Sequence, residues 1–83
     1  MSKQIIIFTT TTCKACPPVK NYLKYKNLVY EEKNIEDLDN LKELFTYTNK
    51  RIMPTTVIKS EHGNTVVYGA NISHLAEATR DLL

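Results

Sequence analysis

The chain has 83 residues, 42% of them hydrophobic and 24% charged, which is the make-up of one globular domain and argues against disorder. A net charge of +2 is too small to imply a nucleic-acid partner and no aromatic–basic stripe supports one, and no apolar run approaches the roughly 20 residues of a membrane-spanning helix. Met1-Ser2-Lys3-Gln4 shows no signal-peptide anatomy, so residues 1–83 are read as a single domain in a cytoplasmic setting.

Gln4 to Thr9 is β-branched and apolar without alternation, the pattern of a central strand covered on both faces. Four threonines, Thr9 to Thr12, lead into Cys13-Lys14-Ala15-Cys16, and short polar residues suit the loop before a helix. From about Pro18 to Lys26, Val19, Tyr22, Leu23 and Lys26 fall on one helical face, with the lysine stem expected to lie along apolar surface. Pro17 fits a first helical turn. Pro18 would break a helix already begun at Cys13, so the first turn is expected to be irregular or the helix to start later.

Leu28 to Ile35 reads as a second strand with imperfect alternation. Asp37 is a candidate cap for a second helix in which Leu38, Leu41, Leu44, Phe45 and Thr48 form one stripe, expected to be core. Glu36, Asp37 and Asp39 at its start and Lys50-Arg51 near its end match the helix dipole, and Asn49 is a plausible stop. Thr55–Lys59 and Thr65–Tyr68 flank Glu61-His62-Gly63-Asn64, which predicts an antiparallel hairpin. Gly69 interrupts that pattern. Asn71 then caps a last helix whose inner face holds Ile72, Leu75, Ala76, Thr79 and Leu82-Leu83.

The order is βαβα followed by ββα. A strand–helix–strand unit requires a parallel pair joined by a right-handed crossover. With the hairpin and final helix added, the chain makes an α/β fold: a four-stranded mixed sheet with helices on both faces.

Cys13 and Cys16 are the chain's two cysteines. A disulfide closing two intervening residues adds little stability, and reducing compartments keep ordinary thiols free, so the pair reads as reactive rather than structural. A strand feeding a helix through Cys-x-x-Cys is expected to place the Cys13 sulfur at the helix N-terminus, where free N–H groups and the dipole favour a thiolate. The thiolate is the nucleophile of thiol–disulfide exchange, and Cys16 is near enough to displace whatever Cys13 captures. Two other readings stand beside this one: half of a zinc site, and a metal or iron–sulfur cluster shared between chains. Zinc normally takes four ligands, and the remaining candidates, His62 in the hairpin turn and His74 in the last helix, are not placed to join the pair. Pro54, after Met53, opens a strand and by itself reads as an ordinary trans proline. No acidic side chain can be placed beneath Cys16 as a proton acceptor.

Three segments in this order resemble the glutaredoxins and the glutaredoxin-like redoxins of the NrdH type, which reduce ribonucleotide reductase. They are Phe8-Thr9-Thr10-Thr11-Thr12-Cys13 with Lys14-Ala15-Cys16, Thr48-Asn49-Lys50-Arg51-Ile52-Met53-Pro54, and Gly69-Ala70-Asn71-Ile72-Ser73-His74-Leu75. The resemblance spans almost the whole chain and implies a thioredoxin-like fold of the glutaredoxin type. It implies that the Met53–Pro54 bond is cis and that the Met53 backbone pairs with an extended substrate segment. It further implies catalysis by Cys13 and Cys16, with Lys14, Lys50, Arg51, Met53, Pro54, Gly69, Ala70 and Asn71 around the substrate.

The implied partners are protein disulfides, ribonucleotide reductase among them. The implied reductant is glutathione or a flavoprotein of the thioredoxin-reductase type, with no bound cofactor and a monomeric protein. There are departures from the family pattern. Thr10 stands where glutaredoxins usually carry a lysine, and Lys14-Ala15 replaces their Pro-Tyr. The Gly69–Ser73 turn is closer to the ribonucleotide-reductase redoxins than to the aspartate-bearing turn that holds glutathione. Lys50-Arg51, in contrast, suit a glutathione carboxylate.

Overall fold

A computed structural model describes residues 4–60 and 63–80. The elements are β1 (Gln4–Thr9), α1 (Cys16–Tyr25), β2 (Glu31–Asn34), α2 (Leu38–Tyr47), β3 (Thr55–Ser60), β4 (Gly63–Tyr68) and α3 (Ile72–Ala78), in the expected order. Strand order across the sheet is β2-β1-β3-β4. β1 pairs in parallel with β2, as the α1 crossover requires, and antiparallel with β3, which continues into the β4 hairpin. This is the mixed-sheet architecture that the resemblance implied.

β1 occupies the interior of the sheet, and Ile5 to Phe8 are all buried. Its side chains alternate between two cores. Ile5 and Ile7 join Val19 and Leu23 of α1, Ile58, Val67 and Leu75 of α3 on one face. Ile6 and Phe8 join Ile35, Leu44 of α2 and Val57 on the other. Burying each such side chain contributes about 1.5–3 kcal/mol, so the unalternating run is what double coverage demands.

α1 begins at Cys16, earlier than Pro18, and this removes the difficulty with the prolines. Pro17 and Pro18 lie in the first turn, where an N–H would have no intrahelical acceptor. The helix ends in a left-handed cap. Asn27 has φ +58°, its N–H donates to the Lys24 carbonyl at 3.0 Å, and the Leu28 N–H donates to the Leu23 carbonyl at 2.9 Å. An asparagine tolerates this glycine-preferring conformation better than most residues do. Lys26 lies just past the helix, its ammonium 5.3 Å from the centre of the Tyr25 ring.

Two expectations need correction. The second strand covers Glu31–Asn34 rather than Leu28–Ile35, and Val29 is 90% exposed. β2 lies at the sheet margin with β1 as its one neighbour, and the pairing runs only from Glu31 opposite Ile6 to Asn34 opposite Thr9. The α2 stripe is rotated from the one expected. Leu44 is fully buried and Leu41 and Tyr47 pack against the core, with Tyr47 tilted on Phe8 at 6.2 Å, whereas Leu38 is 61% and Phe45 49% exposed. The inward face thus follows Leu41, Leu44 and Tyr47, spaced by three, and Tyr47 takes the place assigned to Phe45.

The caps of the later helices fall as expected: Asp37 accepts from the Asp39 N–H and Asn71 from the His74 N–H. α2 stops at Tyr47, two residues before Asn49. Leu75 of α3 and Thr79, the residue that caps its end, are buried, and the Thr79 hydroxyl donates to the Leu75 carbonyl. His62 and Leu82-Leu83 lie outside the described residues.

The α2 geometry predicts a sharp contrast in denaturant unfolding. Leu44→Ala should cost about 2–5 kcal/mol, as buried leucines do. Leu38→Ala should stay within about 0.5 kcal/mol of the parent.

Candidate functional site

The sheet gathers the three segments singled out in the sequence at one end. Thr9 at the end of β1 pairs with Asn34, Phe8 pairs with Thr55 at the start of β3, and Thr55 pairs with Tyr68 at the end of β4. The cysteine loop, the Met53–Pro54 segment and the Gly69 turn therefore leave the sheet from the same pole. The last two are joined directly, because the Gly69 N–H donates to the Pro54 carbonyl at 2.7 Å. Gly69 has φ +67°, a region where glycine is favoured.

Cys13 and Cys16 are joined in a disulfide, with Cα atoms 5.6 Å apart. They differ in access: Cys16 is 3% exposed, whereas Cys13 is only partly buried. A large partner can reach the pair from the Cys13 side. Cys13 itself does not start the helix, contrary to the expected arrangement. It lies in the loop before α1, its N–H donating to the Thr10 carbonyl at 3.2 Å, and Cys16 is the first helical residue. The prolines explain this displacement, since a helix starting at Cys13 would need the N–H that Pro18 lacks. They also thin the positive pole. Of the four residues Ala15 to Pro18, whose N–H groups a helix start leaves free, only Ala15 and Cys16 have one.

The Met53–Pro54 bond is cis, as the resemblance implied. Pro54 is buried and Met53 partly buried, packed on the α2-side core. The Thr55 hydroxyl bonds back to the Ile52 carbonyl and braces the segment. Lys14, Lys50 and Arg51 are exposed. Lys50 is past the end of α2, with its N–H on the Thr48 hydroxyl and its ammonium 5.1 Å from the centre of the Tyr68 ring. Its position is thus set by Tyr68, which also bonds Thr48, rather than by a helix terminus. Ala70 is exposed, and the Asn71 carboxamide oxygen is engaged as the α3 cap. His74 is exposed in α3, and among the described residues no three His, Cys, Asp or Glu side chains are grouped to hold a metal ion.

Two acidic side chains near the cysteine loop were not picked out from the sequence. Glu32 accepts from the buried Thr9 hydroxyl at 3.1 Å and from the Lys20 ammonium at 3.3 Å, linking the end of β1 to α1. Glu36 accepts from the Thr11 backbone N–H at 2.8 Å. That bond, seconded by the Thr11 hydroxyl, holds the Glu36 carboxyl below its ordinary value. Asn34 completes the corner. Its Nδ2 donates to the Thr11 hydroxyl at 3.1 Å and its Oδ1 accepts from the Glu36 N–H at 2.8 Å. Glu36 had been read only as helix-terminal charge. The signal missed was Asn-x-Glu starting at the last residue of a strand parallel to β1, which sets both side chains beside the loop leaving β1.

A glutaredoxin family model matches residues 5–62, well over half of the chain. The chain belongs to the glutaredoxin family. Among solved structures it is similar to the thioredoxin-like protein BC3987, with 32% identity over 90% of this chain and 99% of that one and a TM-score of 0.77. It is also similar to glutaredoxin grx-1 from Archaeoglobus fulgidus, at 20% identity over 93% of this chain and 86% of that one, TM-score 0.75. Mitochondrial thioredoxin 3 from Saccharomyces cerevisiae, in its oxidized form, aligns at 21% identity over 95% and 77% of the two chains, TM-score 0.69. These last two likenesses establish the thioredoxin-like fold alone. No curated protein matches the chain. Family membership and the joined cysteine pair together support a thiol–disulfide redox function.

The Glu36 contact carries a pH signature. A carboxyl depressed below 4.5 keeps its bond to Thr11 above that pH and loses it as pH falls through the lower, folded-state value. The Thr11 amide proton should therefore titrate in NMR spectra with a midpoint below 4.5, and Glu36→Gln should abolish that titration.

Proposed function

We propose that this protein is a dithiol–disulfide oxidoreductase that reduces protein disulfides through Cys13 attack and Cys16 resolution. The observation that carries the reading is the difference in access between two bonded sulfurs: Cys13 reachable, Cys16 buried beneath the start of α1. In the reduced form the Cys13 thiolate attacks one sulfur of the substrate disulfide. A mixed disulfide forms, and the other substrate sulfur leaves as a thiolate that takes up a proton. Cys16, deprotonated, then attacks the Cys13 sulfur, restores the Cys13–Cys16 disulfide and releases the second substrate thiol. Two electrons pass from the protein to the substrate. A thiol donor returns them: either two glutathione molecules or a flavoprotein dithiol.

The cis Met53–Pro54 segment, at the same pole as the cysteines, is where an extended substrate backbone would pair during the mixed-disulfide stage. Lys14, Lys50 and Arg51 add positive charge to that pole and favour substrates or donors bearing carboxylates. Gly69, Ala70 and Asn71 form the far wall of the same end of the sheet. Ribonucleotide reductase is a candidate target because the Gly69–Ser73 turn resembles that of its redoxins. We place the protein as a monomer in a reducing, cytoplasmic compartment, where the dithiol would be regenerated.

Cys16→Ser should accumulate a mixed disulfide through Cys13 with a protein disulfide substrate, seen as an adduct released by dithiothreitol. A Cys16→Ser protein that forms none would refute the scheme. The donor is decided by coupling to NADPH with one disulfide substrate, comparing glutathione plus its reductase against thioredoxin reductase. The Lys50-Arg51 pair supports the glutathione arm and the Gly69–Ser73 turn the flavoprotein arm. Metal analysis of freshly purified protein, with thiols counted before and after chelation, tests the competing metal or cluster reading. Stoichiometric metal on the cysteines would favour that alternative.

A further inference from the structure

Among the described residues, the loop carrying Cys13 is short of holds of its own. One backbone bond, from the Cys13 N–H to the Thr10 carbonyl, closes the Thr10–Cys13 turn. In the oxidised protein the disulfide also ties Cys13 to the first residue of α1. That tie is absent in the reduced form, the form in which Cys13 has to attack. What remains is the corner between β2 and α2, which grips Thr11 at two atoms. Glu36 accepts from its N–H at 2.8 Å, and Asn34 donates to its hydroxyl at 3.1 Å.

The corner is itself rigid. The Asn34 side chain accepts from the Glu36 N–H at 2.8 Å, the Asn34 carbonyl accepts from Asn40 Nδ2 at 2.9 Å, and the Ile35 N–H extends the ladder to the Thr9 carbonyl at 2.9 Å. Thr11 is thus bound to a corner whose hydrogen bonds do not involve either cysteine. A bond from a backbone N–H to a carboxylate is among the stronger kinds available to an exposed loop.

We propose that Glu36 is a positioning residue for the Cys13 nucleophile, holding the Thr10–Cys13 turn through the Thr11 amide once the disulfide is open. Asn34 supports it from the second Thr11 atom. The inference rests on Cys13 being the attacking thiol and adds the residue that fixes where it attacks from. Its effect on the attack is read in the reduced state, where the disulfide no longer holds the loop and Thr11 is still bound to the corner.

The test measures the second-order rate at which stoichiometrically reduced protein reduces bis(2-hydroxyethyl) disulfide at neutral pH. Parent, Glu36→Ala, Glu36→Asp and Glu36→Gln proteins are compared, each also melted in the oxidised form. Glu36→Ala should slow reduction by about fivefold or more, the scale of one lost hydrogen bond. Glu36→Asp, which keeps the charge but draws the oxygen back by one methylene, should fall with it. Glu36→Gln retains an acceptor of the right reach and should recover to within about twofold of the parent. Melting of the oxidised variants should shift by a few degrees at most, the scale of one exposed hydrogen bond in a domain of this size.

A wild-type rate in Glu36→Ala overturns the proposal, as does a Glu36→Gln protein as slow as Glu36→Ala. Should Glu36→Ala fail to fold, the Asp and Gln pair decides the matter by the same criterion. Failure of the underlying reading is visible separately. The parent itself would then reduce no disulfide, or iodoacetamide would label Cys16 ahead of Cys13 in the reduced protein.

Discussion

Double burial of β1 is the constraint on which the molecule depends. Ile5, Ile6, Ile7 and Phe8 leave neither face of the strand for solvent, so helices on both sides of the sheet must be present before all four are covered. The same constraint brings distant segments together. A strand with a parallel neighbour on one side and an antiparallel neighbour on the other delivers the ends of β1 and β2 and the start of β3 to one pole. The cysteine loop, the cis-proline segment and the Asn34–Glu36 corner meet there because a run of four apolar residues had to be enclosed.

What could be read from the sequence follows from what each signal encodes. Ile5–Phe8, the Asp37 and Asn71 caps and the β3–β4 hairpin depend on local chemistry, and they lie where the residues put them. The errors come where a tertiary partner decides between equivalent patterns. Leu38 and Phe45 continue the Leu41–Leu44 stripe as well as Tyr47 does, and only the position of Phe8 selects Tyr47. Leu28–Tyr30 has strand composition, but strand pairing there begins only at Glu31, opposite Ile6. The Pro17-Pro18 pair held a correct warning about the helix start, and its consequence for Cys13 emerged only with the backbone in place.

The site was legible in its sulfurs and its proline, and much less so in its charges. Cys-x-x-Cys announces itself by residue type, whereas Met53-Pro54 stood out only through the resemblance to the glutaredoxins. Glu32 and Glu36 look like any surface carboxylates until parallel pairing sets β2 beside β1. One then meets the Thr9 hydroxyl and Lys20, and the other meets the Thr11 amide. The helix dipole also has a smaller part than the motif suggests. Cys13 is outside α1, and two of the N–H groups that would face an anion are replaced by proline rings. Local hydrogen bonding to the loop accordingly gains weight relative to the helix as a whole.

The outermost strand on the β1 side is held in a different manner from the interior. β2 consists of Glu31, Glu32, Lys33 and Asn34, none of them apolar. Lys33 pairs with Glu43 of α2 at 2.5 Å on one face, which lifts the lysine above its usual range, and Glu32 pairs with Lys20 of α1 on the other. Four rungs studded with charge are a poor template for an incoming chain, which would have to strip water from each. The flank is therefore sealed against fibril-like stacking by electrostatic staples to both helical layers. Such staples weaken as ionic strength rises, while the oily centre of the sheet does not.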